Sequence, residues 1–183
     1  MQVFLVSIIP QNLWCNMKIL DLFAGTRSIS KAFEAKGHET YSIEFDRQHS
    51  GISLYADILN VTAAQIIKDF GYPDIIWASP PCTTYSIAAI SHHRQKEASG
   101  FLTAKSEQAI QSDRLVEHTL NLRYLLKPKY WFIENPVGGL RKMEFMQDKP
   151  RYKVTYCQYG DTRMKPTDIF TNHPNPRFKQ PWD

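Results

Sequence analysis

The chain has 183 residues, of which 22% are charged and 43% hydrophobic, proportions that suit one soluble globular domain with a substantial core. Its three cysteines form no Cys-x-x-Cys pair and its six histidines are mostly scattered, which argues against a disulfide scaffold and a metal site. No run approaches about 18 apolar residues, which argues against a membrane span. The net charge of +4 is concentrated in residues 92–183, which favours a first half built around a small cofactor and a second half that faces a polyanion.

Predicted strands and helices alternate along the chain. Strands are predicted at residues 18–23, 39–44, 54–56, 74–78, 130–134, 152–159 and 169–170, and helices at 28–36, 62–70 and 106–126. The apolar face of the last helix is predicted to include Ile110, Leu115, Leu122 and Leu125. Residues 83–104 are polar and irregular, and are predicted to form a long loop. The alternation predicts an α/β fold, a mostly parallel sheet with helices on both faces.

The domain organisation is predicted to be simple. Met17 looks like a natural chain start that runs straight into the first strand, so residues 1–16 are interpreted as an N-terminal extension, either non-native or a short strand or arm. Residues 17–183 contain no internal repeat and no Gly/Pro-rich linker before residue 173, and they are predicted to form a single domain.

Three successive strand ends carry residues suited to a nucleotide-like ligand. The first strand runs into Asp21, Phe23, Ala24, Gly25 and Thr26, where small residues let the backbone approach a ligand. The second ends in Glu44 and Phe45, about 20 positions beyond the glycine, where a carboxylate is suited to hold a ribose hydroxyl pair. The third ends in Asp57 and Ile58. Each acid alone is more simply a helix cap or a solvated charge, but together they predict one site.

A cysteine and a glutamate follow two further apolar strands. Ser79-Pro80-Pro81-Cys82 leaves the strand at 74–78, and the two prolines are predicted to hold Cys82 at the ligand-binding edge of the sheet. A cysteine there is either a nucleophile or an inert buried thiol. Glu134 ends the strand at 130–134, where a carboxylate is costly unless paired, and it either faces a substrate ring nitrogen or caps a turn.

These motifs resemble the DNA cytosine-5 methyltransferases, in the same order from about Met17 to Phe170. The matching pieces are Asp21-Leu22-Phe23-Ala24-Gly25, Glu44-Phe45, Asp57-Ile58, Ser79-Pro80-Pro81-Cys82 and residues 127–135. The resemblance implies a Rossmann-like methyltransferase fold. It also implies S-adenosylmethionine as cofactor, held by the first three motifs and Pro81, with Cys82 and Glu134 as catalytic residues. The family's arginine-rich motif maps loosely onto residues 160–165, so Arg163 is assigned as catalytic and Lys165 as an alternative.

The implied reaction is transfer of a methyl group to carbon 5 of a flipped-out cytosine through a covalent Cys82 adduct, as in restriction-modification or phage self-protection. Two other hypotheses stay open: an exocyclic-amino methyltransferase acting on adenine or cytosine, whose motif would need an aromatic residue in place of Cys82, and an inactive cofactor-binding or DNA-binding remnant. An RNA substrate is also left open. Cytoplasmic localisation, in a bacterial or phage-infected cell, is expected.

The chain departs from the family pattern at Arg27-Ser28, Thr83 and Pro136, and it stops at Asp183, before the family's target-recognition region. We therefore expect weak and largely non-specific DNA binding through phosphate contacts. The candidate contacts are Arg94, Lys96, Arg141, Lys142, Arg163 and Lys165. Residues 83–104, with His92, His93, Arg94 and Lys96, are predicted to act as a mobile lid that closes on the phosphates.

Overall fold

A mostly parallel sheet is the framework of the protein, as seen in a computed structural model that describes residues 16–159 and 164–178. Its strands are β1 (Lys18–Leu22), β2 (Glu39–Glu44), β3 (Leu54–Tyr55), β4 (Ile75–Ala78), β7 (Tyr130–Pro136), β8 (Arg151–Thr155) and β9 (Pro166–Thr171). Their order is β3-β2-β1-β4-β7-β9-β8, in which β9 runs antiparallel to both β7 and β8 and the other neighbouring strands pair in parallel. A separate antiparallel hairpin joins β5 (Arg94–Lys96) to β6 (Leu102–Ala104).

The central strands are apolar on both faces because the sheet is covered on both sides. Every residue of β4 is buried, as expected for a parallel strand between two layers. In register, Leu22 of β1 lies beside Ala78 of β4, and Ala78 lies beside Ile133 of β7. The residues that follow these three strands therefore meet at one edge of the sheet.

The described residues form the α-helices α1 (Ser28–Glu34), α2 (Ala63–Asp69), α3 (Ile90–His93) and α4 (Glu107–Leu126). Helix α1 packs with Ile19, Trp77 and Phe132 on one face of the sheet, and α4 packs on the other face with Leu20 and Ile76. The predicted α/β class, with helices on both faces, is confirmed. None of the helices in the described part of the chain is long and apolar enough to cross a membrane.

The predicted apolar face of α4 is wrong in part. Ile110 and Leu125 are 38% and 47% exposed, whereas the buried positions follow helical spacing along another stripe: Ala109, Ser112, Val116, Thr119, Leu122 and Leu126. Small side chains let the helix lie close to the sheet. The hydroxyls of Ser112 and Thr119 are buried at little cost because they donate to the carbonyls of Gln108 and Leu115, four residues earlier.

The predicted loop at residues 83–104 is also wrong. The segment folds into a 3₁₀ turn at Thr83–Tyr85, helix α3 and the β5–β6 hairpin. Arg94 is 3% exposed and paired with Asp113, and His93 is buried as well, so neither lies where it can contact DNA phosphates. Their burial removes two of the four residues that were predicted to close the lid on DNA phosphates.

Smaller corrections concern the end of the chain. The strand predicted at 152–159 ends at Thr155 and continues as a 3₁₀ turn, Tyr156–Tyr159, while the strand predicted at 169–170 extends over Pro166–Thr171. Arg141 is ion-paired with the buried Asp168, so part of its charge is neutralised within the fold. Arg163 lies outside the described residues.

Candidate active site

Two adjoining cavities lie along the carboxyl edge of the parallel strands, with Phe23 lining both of them. The first measures about 320 Å³ and the second about 230 Å³. Ligands of open α/β sheets bind at this edge, because the loops that leave parallel strands converge there. The cavities therefore occupy the place in the fold where a site is expected.

The first cavity combines apolar walls with two carboxylates. Its walls include Ile43, Ala56 and Leu115, and its acidic side chains are Glu44 and Asp57. Phe45, Ile58 and Pro81 also line it. The Phe45 ring is 73% exposed, so it presents an open aromatic face of the kind on which a flat heteroaromatic ring stacks.

The loop between β1 and α1 is wound through unusual backbone angles. Phe23, Gly25 and Arg27 all have positive φ, at 58°, 50° and 58°. For the two residues that are not glycine this conformation costs about 1–3 kcal/mol each, and such strain is concentrated at functional sites. Arg27 stands where the resembled family tends to have glycine, and its ion pair with Glu34 helps to hold it in the left-handed region.

Glu44 ties this loop to the end of β2. Its Oε2 accepts a hydrogen bond from the Gly25 backbone N–H at 2.8 Å, and its Oε1 accepts from the N–H groups of Phe45 and Asp46 at 2.8 and 2.9 Å. Asp57 likewise accepts from the Leu59 N–H at 3.0 Å and caps a short 3₁₀ turn. Both carboxylates are held by the backbone, which fixes their positions at the cavity wall.

The second cavity contains the predicted catalytic glutamate. Glu134 Oε1 accepts a hydrogen bond from the Tyr156 hydroxyl at 2.8 Å, and the Lys165 ammonium lies 5.8 Å from the centre of the Tyr156 ring. All three side chains line the cavity. Asp21, Ala24, Gly25 and Thr26 form the side towards the strained loop. The arrangement brings a carboxylate, a hydroxyl and an ammonium group around one small pocket.

The segment that carries Cys82 is held at several backbone atoms. Asn135, which is 1% exposed, donates from Nδ2 to the Pro80 carbonyl at 3.1 Å. The Gly139 N–H donates to the Tyr85 carbonyl at 2.6 Å, and a Cβ on Gly138 would lie only 2.3 Å from that oxygen, so position 138 requires glycine. Cys82 is partly buried, one residue after the cavity-lining Pro81.

Asp21 is a buried acid with a structural task. Its Oδ2 accepts from the Ser30 hydroxyl at 2.6 Å and from the Ser30 N–H at 3.1 Å, which attaches the first turns of α1 to β1. Burial raises the pKa of Asp21 from 3.8 to about 6, against the opposing effect of the Ser30 hydrogen bonds. Between these two values the folded chain binds more protons than the unfolded chain at this position.

This pKa shift predicts a specific pH dependence of stability. As pH rises from 4 to 7, ionisation of Asp21 lowers the free energy of unfolding of the native protein by about 2–3 kcal/mol. Asp21→Asn carries no titrating group, and its carbonyl can still accept from Ser30. We therefore expect the difference in the free energy of unfolding, variant minus native protein, to increase by the same amount between pH 4 and pH 7. Urea unfolding of both proteins at each pH measures this difference. A difference that does not change with pH would contradict the prediction.

Most of the predicted site residues line one of the two cavities, but Cys82 lines neither of them. Phe23, Glu44, Phe45, Asp57, Ile58 and Pro81 line the first cavity, and Asp21, Ala24, Gly25, Thr26 and Glu134 line the second. Sequence analysis missed Tyr156, which lines the second cavity, and Gln111, which lines the first. Tyr156 follows an edge strand with no local motif, and Gln111 lies in the middle of α4 with nothing to distinguish it. Asn135 falls within the matching residues 127–135, but its hydrogen bond to the Pro80 carbonyl was not predicted.

A model of the family described as C-5 cytosine-specific DNA methylase matches residues 17–153. The chain is 32% identical over 149 residues to a probable DNA (cytosine-5)-methyltransferase of Frog virus 3, covering 79% of this chain and 65% of the relative. It is 27% identical over 143 residues to the type II methyltransferase M.HindV of Haemophilus influenzae, covering 72% of this chain and 41% of that one. The chain thus spans less than two thirds of the length of these relatives.

Solved structures share the fold at low identity. A SAM-dependent methyltransferase from Agrobacterium tumefaciens superposes with a TM-score of 0.52 at 14% identity, covering 88% of this chain and 57% of that one. The human methyltransferase 10 domain containing protein gives 0.53 at 10% identity, covering 91% and 76%. These likenesses confirm the predicted Rossmann-like methyltransferase fold, and the match of the family model over most of the chain shows that this protein belongs to the C-5 cytosine-specific DNA methylases.

Proposed function

We propose that the chain transfers a methyl group from S-adenosylmethionine to carbon 5 of a cytosine in DNA. The observation that carries this proposal is that Glu134, near the end of β7, lines the second cavity, while Pro81, the residue before Cys82 in the segment that follows the neighbouring strand β4, lines the first. The family match supports the same chemistry. An exocyclic-amino methyltransferase is less well supported, because Cys82 stands where that class needs an aromatic ring.

The first cavity fits an adenosyl group. An aromatic base can stack on the exposed Phe45 ring, while the carboxylates of Glu44 and Asp57 are suited to accept hydrogen bonds from ribose hydroxyls and an exocyclic amine. The volume of about 320 Å³ lies in the range typical of ligand pockets, about 300–1,000 Å³. Phe23, which lines both cavities, would separate the cofactor from the group that accepts the methyl.

The second cavity is assigned to the cytosine ring. Carbon 5 of cytosine is a poor nucleophile, so the ring must first be activated. The Cys82 thiolate adds to carbon 6 and forms a C–S bond, while Glu134 hydrogen-bonds the ring nitrogen and exocyclic amine and stabilises the charge that develops there. S-adenosylmethionine supplies the electrophilic methyl group. Loss of the carbon 5 proton then restores the ring double bond and expels the Cys82 thiolate.

Access to the ring requires the base to leave the duplex, since the atoms attacked by Cys82 are covered by stacking and pairing. Extrusion of one nucleotide costs a few kcal/mol, which contacts in the pocket must offset. Tyr156 and Lys165 line the second cavity together with Glu134, and they contribute a hydroxyl and a positive charge to it. They are proposed to contribute to recognition of the flipped base.

Product identity tests the proposed function. The chain is incubated with methyl-labelled S-adenosylmethionine and DNA, and the nucleosides are separated by mass spectrometry after digestion. Label in 5-methylcytosine supports the proposal, whereas label in N4-methylcytosine or N6-methyladenine supports the exocyclic-amino class. A parallel reaction with RNA of the same sequence decides between the two nucleic acids. Absence of label with all substrates would overturn the proposal for this chain.

Glu44→Ala and Asp57→Ala are predicted to weaken cofactor binding. Each charge-assisted hydrogen bond is worth about 1.5–3 kcal/mol, so the dissociation constant for S-adenosylmethionine should rise about tenfold or more in each variant. Calorimetric titration measures the effect. Glu39→Ala is a suitable control, since its carboxylate lies at the amino end of the same strand as Glu44. Unchanged affinity in both variants would place the cofactor elsewhere.

A further inference from the structure

Arg94 clamps the segment that follows Cys82. Its Nε donates to the Thr84 carbonyl and its Nη2 to the Thr84 hydroxyl, both at 3.0 Å. The two Nη atoms bind both carboxylate oxygens of Asp113, at 2.8 and 3.1 Å, and Nη1 also contacts the Met143 sulfur at 3.4 Å. The guanidinium lies 4.1 Å from the centre of the Tyr85 ring, whose hydroxyl donates to Asp113 at 2.7 Å.

This cluster joins three distant parts of the chain. Thr84 and Tyr85 belong to the turn after Cys82, Arg94 begins β5, and Asp113 lies on α4. The side chains of Arg94 and Tyr85 are buried. Removing two charges from water costs several kcal/mol, so a buried ion pair is weak support for stability alone. Its bidentate geometry does, however, fix the relative positions of the groups it joins.

The opposite side of the same turn is fixed as well. The Tyr85 carbonyl accepts from Gly139, and the Tyr85 N–H donates to the Cys82 carbonyl at 3.0 Å. The turn is therefore held between the loop after β7 on one side and the Arg94–Asp113 pair on the other. We call the contacts of Arg94 with Thr84 and Asp113 the clamp. Cys82 is two residues from Thr84, so the short backbone between them transmits a shift of the clamp to the Cys82 sulfur.

We propose that Arg94 and Asp113 are positioning residues that hold the Cys82 sulfur in place for attack on the cytosine ring. This inference rests on the proposed function, because it assigns the purpose of the clamp to the nucleophile. A displacement of about 1 Å at the reacting atom can reduce the rate about 100-fold without changing which groups are present.

The test uses the full chain with Cys15→Ser and Cys157→Ser, so that Cys82 is the sole thiol. Asp113→Asn is compared with Leu126→Ala, a truncation of a buried residue at the far end of the same helix. Two quantities are measured under native conditions: kcat and KM for methyl transfer, and the rate of Cys82 alkylation by iodoacetamide. The alkylation rate does not depend on turnover, so it is informative even if methyl transfer is absent.

In Asp113→Asn we expect kcat to fall about 100-fold with little change in the KM for S-adenosylmethionine. The alkylation rate should rise on the order of tenfold as the turn opens locally. Leu126→Ala should lose about as much thermal stability as Asp113→Asn. It should change neither kcat nor the rate of Cys82 alkylation by much. If Asp113→Asn does not fold, Tyr85→Phe removes one hydrogen bond to Asp113 and should shift both quantities in the same direction by less.

The inference is overturned if Asp113→Asn, or Tyr85→Phe in its place, behaves like Leu126→Ala in both measurements. A native chain that methylates no nucleic acid would instead overturn the proposed function. In that case the alkylation comparison still decides whether the clamp positions Cys82.

Discussion

Replacement of Cys82 by serine is expected to abolish methyl transfer while leaving cofactor binding nearly unchanged. A serine hydroxyl is a far weaker nucleophile than a thiolate, and loss of a covalent catalyst lowers the rate by roughly 10³-fold or more. Glu44 and Asp57, the proposed cofactor ligands, lie at the end of β2 and after β3, so they keep their positions in the variant. Incorporation of labelled methyl groups into DNA measures the first effect and calorimetry the second.

Cys157→Ser is the matched control, because Cys157 is exposed and carries no assigned role. It should retain both activity and affinity. If Cys82→Ser also lost S-adenosylmethionine binding, the division between a nucleophile on one strand end and a cofactor site on others would be wrong.

Glu134→Gln is expected to lower kcat by about 10²–10³-fold with little change in cofactor affinity. Glutamine keeps the size of the side chain and can still accept the hydrogen bond from Tyr156. It cannot exchange a proton with the cytosine ring, a contribution usually worth about 10²–10⁴-fold. Single-turnover rates with saturating cofactor isolate this step from product release. The same rate in the variant and the native protein would remove Glu134 from the reaction.

Tyr156→Phe provides the comparison for this variant. It removes the hydroxyl that orients Glu134 but leaves the carboxylate, so its effect on the single-turnover rate should be smaller than that of Glu134→Gln. A larger effect in Tyr156→Phe would assign the proton-transfer role to the tyrosine instead.

Local patterns predicted the part of the site that follows the central strands. The apolar residues of β4 are followed by Pro80, Pro81 and Cys82, and this pattern can be recognised in the sequence alone. The parallel order of β1, β4 and β7 then brings Cys82 and Glu134 to one edge without further information. Such predictions succeed because each depends on a short stretch of chain and on a general rule of parallel sheets.

The failures have one physical cause, which is that burial is decided by distant partners. Arg94 looked like a loop cation because Asp113, which neutralises it, lies 19 residues later on a helix. The apolar stripe of α4 was misplaced because the hydroxyls of Ser112 and Thr119 donate to carbonyls within the helix. These two polar residues can therefore be buried against the sheet. Tyr156 reaches Glu134 only through the pairing of β8, β9 and β7, which no local pattern reveals.

The most direct test of the central claim is covalent trapping with DNA that contains 5-fluorocytosine. Release of Cys82 requires loss of the carbon 5 hydrogen as a proton, and fluorine at that position cannot leave in this way. With S-adenosylmethionine present, the account predicts a stable protein–DNA adduct that survives denaturing electrophoresis and maps by mass spectrometry to Cys82. Methylation of ordinary cytosine at carbon 5 without any adduct on the fluorinated DNA, or an adduct that persists in Cys82→Ser, would contradict it.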